Sequence, residues 1–397
     1  MTFNFRSIPI GELCQGIYDG PHATPAPSDS GAIFLGISNF VNGKLNLSPS
    51  NIRYISEEDY PKWTKRVTPK AHDIVFSYEA TLNLYAIIPD GFRGCLGRRM
   101  ALMRPDEGVV DYRFLYYYMF SPAWREEVER YKVNGSTVDR IPLVSFPSFR
   151  VDLPNMRTQK AIADILFAID QKIDSNSRVN DNLLGQMQAL YRSWFVDFLP
   201  FGGSKPRTWT ETDIYSLANI IYGAPFKSKQ FNTDGVGTPI IRIRDLKDQQ
   251  FATYTTEIHP KGYLLQPGDI VVGMDGEFRP YIWGNDGAWL NQRVCVFENK
   301  RPNGKAFLYF TIKPLLYGIE QTQVATTVIH IGKKDFDAFE ITLPDASTLD
   351  DFDALTTPMM RVIVSNCFEN KRLAALRDIL LPKLMSGEID VLSLIHI

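Results

Sequence analysis

The chain has 397 residues, 44% hydrophobic and 22% charged, with 43 Lys+Arg against 45 Asp+Glu for a formal net charge of −2. That length suggests two or three domains; the composition excludes disorder and collagen-like arrays, and the charge excludes a basic arm that holds nucleic acid by bulk attraction. No apolar run reaches the roughly 18 residues of a membrane span, and MTFNFRSIPIGEL lacks the basic-then-apolar pattern of a signal peptide. Cys14, Cys95, Cys295 and Cys367 lie far apart without a CxxC, which predicts free thiols and a cytoplasmic chain.

Residues 1–155 carry short apolar runs, many aromatics and frequent Gly/Pro turns, predicting a strand-rich domain with helix near Tyr112–Tyr131. Residues 156–200 predict one long helix. Ile162, Leu166, Ile169, Ile173, Asn176, Asn180, Leu183, Met187, Leu190 and Trp194 step by four and three, the heptad seam of a coiled coil. Asn155 or Thr158 would cap its start, and Pro200 with Gly202-Gly203 would end it. Residues 201–344 read as a second strand-rich domain, with runs at Ile240–Ile243, Asp269–Val272 and Arg293–Phe297. Residues 345–391 predict a second seam through Phe352, Thr356, Met359, Ile363, Asn366, Asn370, Leu373, Arg377, Leu380 and Leu384, kinked or restarted at Pro358. Residues 392–397 form an apolar tail to which no role is assigned.

The chain repeats itself. A shift of 190 residues carries Gly135-Ser136-Thr137-Val138-Asp139-Arg140-Ile141 onto Ala325-Thr326-Thr327-Val328-Ile329-His330-Ile331, and Leu153-Pro154 onto Leu343-Pro344. The same offset carries Asn176 onto Asn366, Asn180 onto Asn370 and Leu183 onto Leu373. Upstream the offset drifts, yet Ile17-Tyr18 pairs with Ile221-Tyr222, Asp73-Ile74-Val75 with Asp269-Ile270-Val271, and Arg99 with Arg293. The expected fold is therefore α+β: two pseudo-repeated strand-rich α/β domains joined by two long helices that pair antiparallel as a coiled coil. Both copies keep both seam asparagines. Either they are solvated or they fix register, and their repetition favours register.

Catalytic patterns are missing. There is no Asn-Pro-Pro-Tyr-like tetrapeptide, no P-loop, no HExxH and no Cys/His pair at zinc spacing. Pro344-Asp345 followed by Glu369-Asn370-Lys371 imitates a metal-dependent nuclease pattern, but its ExK falls inside the second helix. The two strand-rich domains are each neutral, with 17 basic and 17 acidic residues in 1–155 and 15 of each in 206–344. Neutrality argues against strong sequence-independent phosphate binding but leaves base readout open. The candidate donors are Arg98, Arg99, Ser136, Thr137 and Arg140 in the first domain. In the second they are Arg242 and Arg244, expected on one face of a strand, with Gln292, Arg293, Thr326, Thr327, His330 and Lys333.

Two [ST]-[ST]-V-x-x-I segments before a Leu-Pro, the Leu290-Asn291-Gln292-Arg293-Val294 run and the LLPKLMSGEI ending (381–389 with its preceding Leu380) together make a specific pattern. The chain resembles the specificity subunit of type I restriction–modification systems over nearly its whole length. The resemblance implies two target recognition domains, each reading half of a split double-stranded DNA site, and two helical spacers. It implies two methyltransferase subunits as partners, with restriction and translocase subunits bound through them. It also implies a non-catalytic chain without a cofactor, since S-adenosylmethionine would be bound by the methyltransferase. A helix pair buries only its seam, so Leu184, Tyr191, Phe195, Ile379 and Leu381 are expected to face that partner. The alternatives are a protein-binding scaffold that reads no DNA and a stand-alone metal-dependent nuclease.

Overall fold

A computed structural model describes residues 5–135, 138–322 and 330–394, with the side chains of residues 322 and 394 excepted. It divides into two compact units, residues 1–171 with 373–397, and residues 172–372. Each holds one strand-rich domain and one end of each long helix.

In the first unit, strands Cys14–Asp19, Met100–Pro105, Ile74–Ser77 and Tyr85–Ile87 lie side by side in that order as an antiparallel sheet. Ile74–Phe76, Tyr85–Ile87 and Met100–Met103 read as unbroken apolar runs because both faces are covered there. Ile74, Phe76, Ala101 and Met103 face a core shared with Phe114, Trp124 and Phe146. Val75, Ala86 and Leu102 face a second core with Leu35 and Leu96. Strand Ala32–Leu35 pairs parallel with Gly94–Leu96 and antiparallel with Arg53–Ile55.

The second unit repeats this topology. Strands Ala218–Tyr222, Val294–Asn299, Ile270–Gly273 and Pro280–Ile282 occupy the same sheet order. Thr238–Ile241 pairs parallel with Trp289–Leu290 and antiparallel with Tyr254–Thr255. Even the turn into the central strand is copied. Asp73 Oδ2 accepts from the Lys70 amide at 2.8 Å, and Asp269 Oδ2 from the Gln266 amide at 2.7 Å. The residue before each aspartate is left-handed: Gly268 at φ +83 without penalty, and His72 at φ +71, where a side chain is disfavoured. His72 is held there by a stack on Tyr112 and a 2.8 Å contact with Glu107.

The helical region at Tyr112–Tyr131 is two helices, Tyr112–Tyr118 and Pro122–Tyr131. Ser121 accepts from the Trp124 amide at 3.2 Å and Pro122 opens the second. Its counterpart in the second unit is a single helix, Lys305–Thr322, that runs through Pro314.

First and last strands close each domain: Arg6–Pro9 on Arg150–Leu153, and Thr210–Asp213 on Glu340–Leu343. Each closing strand feeds a forty-residue helix, α1 (Met156–Phe195) and α2 (Ala346–Met385). The caps match across the 190-residue repeat. Asn155 Oδ1 accepts from the Thr158 amide and Asp345 Oδ1 from the Thr348 amide, both at 3.0 Å. Contrary to expectation, α2 neither breaks nor restarts at Pro358. The ring lies on an exposed face, and Ala354, whose carbonyl loses its helical donor, is exposed too.

The helices run antiparallel where they meet. In the first unit Ile162 and Leu166 of α1 join Leu381, Leu384 and Met385 of α2 in the domain core, with Leu380 packed against it, while Ile169 is also buried. In the second, Met187 with Leu183 and Leu190 meets Phe352, Met360 and Ile363. Ile173 and Leu373 are half-buried. The asparagines bond directly across the seam: Asn176 Nδ2 donates to Asn370 Oδ1 at 2.9 Å, and Asn366 Nδ2 to Asn180 Oδ1 at 2.8 Å. At the other end Arg377, the copy of Met187, replaces an apolar seam residue. It donates to buried Asp170 at 2.8 Å, which also accepts from Tyr117 Oη at 2.6 Å. The tail begins inside the first core, with Val391 fully buried and Leu392 packed beside it.

Candidate nucleic-acid interface

Three segments that match between the copies converge where the central strand ends. In the first domain the Tyr78 amide donates to the Arg99 carbonyl at 3.2 Å, and the Ile141 amide to the Tyr78 carbonyl at 2.7 Å. Glu79 lies opposite Arg140 across an antiparallel bridge, and its Oε1 is 3.2 Å from Arg99 Nε. The second domain repeats every link. The Met274 amide donates to the Arg293 carbonyl and the Ile331 amide to the Met274 carbonyl, both at 2.9 Å. Asp275 lies opposite His330, with Oδ1 2.6 Å from His330 Nδ1 and 3.6 Å from Arg293.

A backbone clasp therefore gathers one acid and two basic side chains at equivalent places: Glu79 with Arg99 and Arg140, Asp275 with Arg293 and His330. Paired residues opposite one another on adjacent strands share a face, so these side chains project together. Arg98 and Gln292, the preceding residues, are exposed beside them. Ser136, Thr137, Thr326 and Thr327 lie outside the described residues. Glu79 and Asp275 were not among the sequence candidates, although the 196-residue offset that aligns Asp73 with Asp269 also aligns them.

In the first domain Tyr78 adds an unusual group. It is 6% exposed, and its hydroxyl has no hydrogen-bond partner among the described residues. Burial, then the charges of Asp19 and Glu79, pushes its pKa up, with Arg66 and Arg98 opposing. The copy places Met274 there.

The other basic candidates are arranged differently. Arg242 and Arg244 do not alternate on a strand: the strand ends at Ile241, and both belong to the following tight turn, Ile243–Asp245 with Arg242 as its cap. Arg242 donates to Thr253 and sits 3.6 Å from Asp245, whereas Arg244 is largely exposed. Lys333 opens a short helix and bonds both oxygens of Asp337 at 2.8 and 2.9 Å.

The helix residues expected to face a partner need correction. Tyr191 lies in an aromatic cluster with Phe307, Phe310 and Phe352, and its hydroxyl meets Thr311 Oγ1 at 3.1 Å. Phe195 packs on Phe307 and Phe352, with centroids 4.8 and 4.9 Å away. Leu184 joins the same core, and Leu381 is buried in the first domain. The helix ends have a second covered face, turned to the domain, besides the seam. Ile379 does stay exposed, at 59%, with Leu376 one turn before it; Leu355 and Val362 are exposed on α2 in the second unit.

The nuclease-like residues are separated by the fold. Asp345 caps α2 and Glu369 lies 24 residues along it, about 36 Å at 1.5 Å per residue. Glu369 accepts from Asn176 at 2.7 Å and pairs with Lys172 at 3.2 Å. Among the described residues there is no group of three or more His, Cys, Asp or Glu placed to hold a metal ion, and no helix long and apolar enough to cross a membrane.

A family model described as type I restriction modification DNA specificity domain matches the chain twice, over residues 23–184 and 206–361. The chain is 37% identical over 138 residues to the type I restriction enzyme EcoBI specificity subunit of Escherichia coli, covering 34% of this chain and 29% of that protein. It is 24% identical over 443 residues to the HindI specificity subunit of Haemophilus influenzae, covering 90% of this chain and 94% of that one. The crystal structure of a type I restriction–modification S subunit from M. genitalium shares the fold, with a TM-score of 0.55 at 15% identity over 96% of each chain.

Proposed function

This chain belongs to the family of type I restriction–modification DNA specificity domains, and on that premise we propose that its two strand-rich domains each read one half of an asymmetric, bipartite DNA site through the loops gathered at Glu79 and Asp275. The chain is a DNA target-recognition subunit and not the catalytic component. The observation that supports this assignment of the interface is the duplicated clasp. One framework recurs in both domains, while the side chains it presents differ: Arg98, Arg99 and Arg140 in one, Gln292, Arg293 and His330 in the other. Arginine suits guanine O6/N7 and glutamine suits adenine, so differing side chains read differing bases.

In this reading α1 and α2 recruit two methyltransferase subunits through their exposed apolar residues, and restriction and translocase subunits join through those, in the cytoplasm. S-adenosylmethionine and methyl transfer belong to the methyltransferase. Forty residues make a helix of about 60 Å, and helix length sets the gap between half-sites. The test is to express the chain with its methyltransferase and map methylated adenines across the host genome. A bipartite motif with a fixed gap is expected. Replacing residues 1–155 by the corresponding domain of a relative should change one half of that motif only; a change in both halves defeats independent reading.

A further inference from the structure

We propose that Glu79 and Asp275 are specificity-determining positioning residues, each holding its basic neighbours in a base-reading pose and denying them to the phosphate backbone. This rests on the assignment of the duplicated clasp as the DNA-reading loop.

Each domain is neutral, and an acid lies beside the basic groups of each loop. Arg99 Nε is 3.2 Å from Glu79, and Arg140 faces Glu79 across a bridge. Asp275 Oδ1 takes both His330 at 2.6 Å and Arg293 at 3.6 Å. An exposed arginine without such a partner binds any phosphate, which adds affinity and no sequence information. The two guanidinium contacts are ionic, without an aligned hydrogen bond among the described residues: the carboxylate sets where the guanidinium lies and leaves its N–H donors for a base edge. The same carboxylate repels phosphate.

The independent sign that this surface awaits a ligand is Tyr78. Its side chain is more than nine-tenths buried, its hydroxyl lacks a partner among the described residues, and it directly precedes Glu79. A buried hydroxyl is costly without a hydrogen bond. The second domain has Met274 in its place, so the two loops differ in a polar group as well as in their basic residues.

The test uses the complete complex with its methyltransferase, carrying E79Q or D275N. Each variant should relax one half of the methylated motif, a different half for each, with discrimination at the affected base falling about ten- to a hundredfold, the range of one bidentate contact. The released arginine should meanwhile steepen the salt dependence of non-specific binding by about one unit of slope, as one added phosphate contact predicts. E79D and D275E, which keep the charge, should restore most of the discrimination. A purely structural role would lower assembly without steepening the slope. R140Q removes a basic group that Glu79 faces, and should relax the same half-site as E79Q with no steeper slope, which keeps the proposal open to refutation if E79Q fails to assemble. Intact discrimination in both carboxylate variants, or in R140Q, overturns the proposal. A wild-type complex that methylates no bipartite site overturns the DNA-reading assignment itself.

Discussion

Asn366 donates its side-chain N–H to Asn180 across 2.8 Å, and its counterpart in the repeat, Asn176, donates to the counterpart of Asn180, Asn370, across 2.9 Å. Residue i meets the copy of j while j meets the copy of i, the reciprocal pairing of a two-fold interface, here within one chain. Heptad spacing leaves several apolar registers open, and two amide pairs accept only one of them.

Breaking one amide pair should therefore cost more than removing it. N366L leaves Asn180 Oδ1 without its donor in a half-buried seam and should lower stability by about 1–2 kcal/mol. N180L/N366L should recover most of that loss. Thermal denaturation of the two singles and the double gives the coupling energy. A double variant that loses the sum of the two single losses would show that the amides contribute nothing to each other.

Asp170 and Arg377 form a second polar pair, at the first domain. Asp170 is buried and takes both Arg377 and Tyr117, while Arg377 keeps 27% of its side chain exposed. D170A leaves the Tyr117 hydroxyl without its acceptor and Arg377 with Asp378 alone, and should destabilise by about 2 kcal/mol, below the figure for a fully buried pair because Arg377 keeps that second carboxylate and solvent still reaches it. D170A/R377M, which restores the methionine of the other copy, should be milder than D170A alone.

Stability should also carry a signature at alkaline pH. Lys371 is pushed down to about 8, mainly by burial, and its ammonium lies over the rings of Trp283 and Phe251 at 5.7 and 6.0 Å. Between about pH 8 and the ordinary lysine value of 10.5 the unfolded chain holds this proton and the folded chain has shed it. Folding therefore gains from this group as pH rises through that window and bears the full penalty below it. K371M should raise the melting temperature at pH 7, with the gain shrinking toward pH 10. A pH-independent gain would mean the ring contacts offset the burial of the charge.

Partner binding should respond to Ile379 and Leu376 rather than to Tyr191 and Leu381. L376E/I379E changes two exposed residues and should leave melting of the chain alone almost unchanged, yet abolish co-purification with the methyltransferase. L381E should instead destabilise the first unit, since it inserts a charge into that core. Undiminished capture by L376E/I379E removes this face from the interface.

Much of the architecture was legible because the chain writes it twice. The offset linking Leu153-Pro154 to Leu343-Pro344 marks the junction where each closing strand meets its helix cap, and the seam positions follow from heptad spacing alone. Periodicity says which residues share a face, however, not how many faces are covered. Tyr191 and Leu381 lie off the seam, yet Leu381 is buried and Tyr191 half-buried, because a domain packs on each. Pro358 read as a break, since sequence does not reveal that its turn is exposed. The acids of the clasp were hidden for another reason: Glu79 and Asp275 are two of 45 acidic residues, aligned by the repeat as many structural residues are, and it is backbone pairing with Arg140 and His330 that gives them a place beside basic groups.

The burial of Leu381, Leu384, Met385 and Val391 in the first domain has a consequence for the order of synthesis. A chain emerging from the ribosome carries residues 1–155 first, yet that core is completed by side chains more than two hundred positions later. The unit spanning residues 172–372 contains all its own parts before those last side chains are made. The domain translated first is thus the one that finishes folding last, and an unfinished chain exposes the apolar floor of its own beginning.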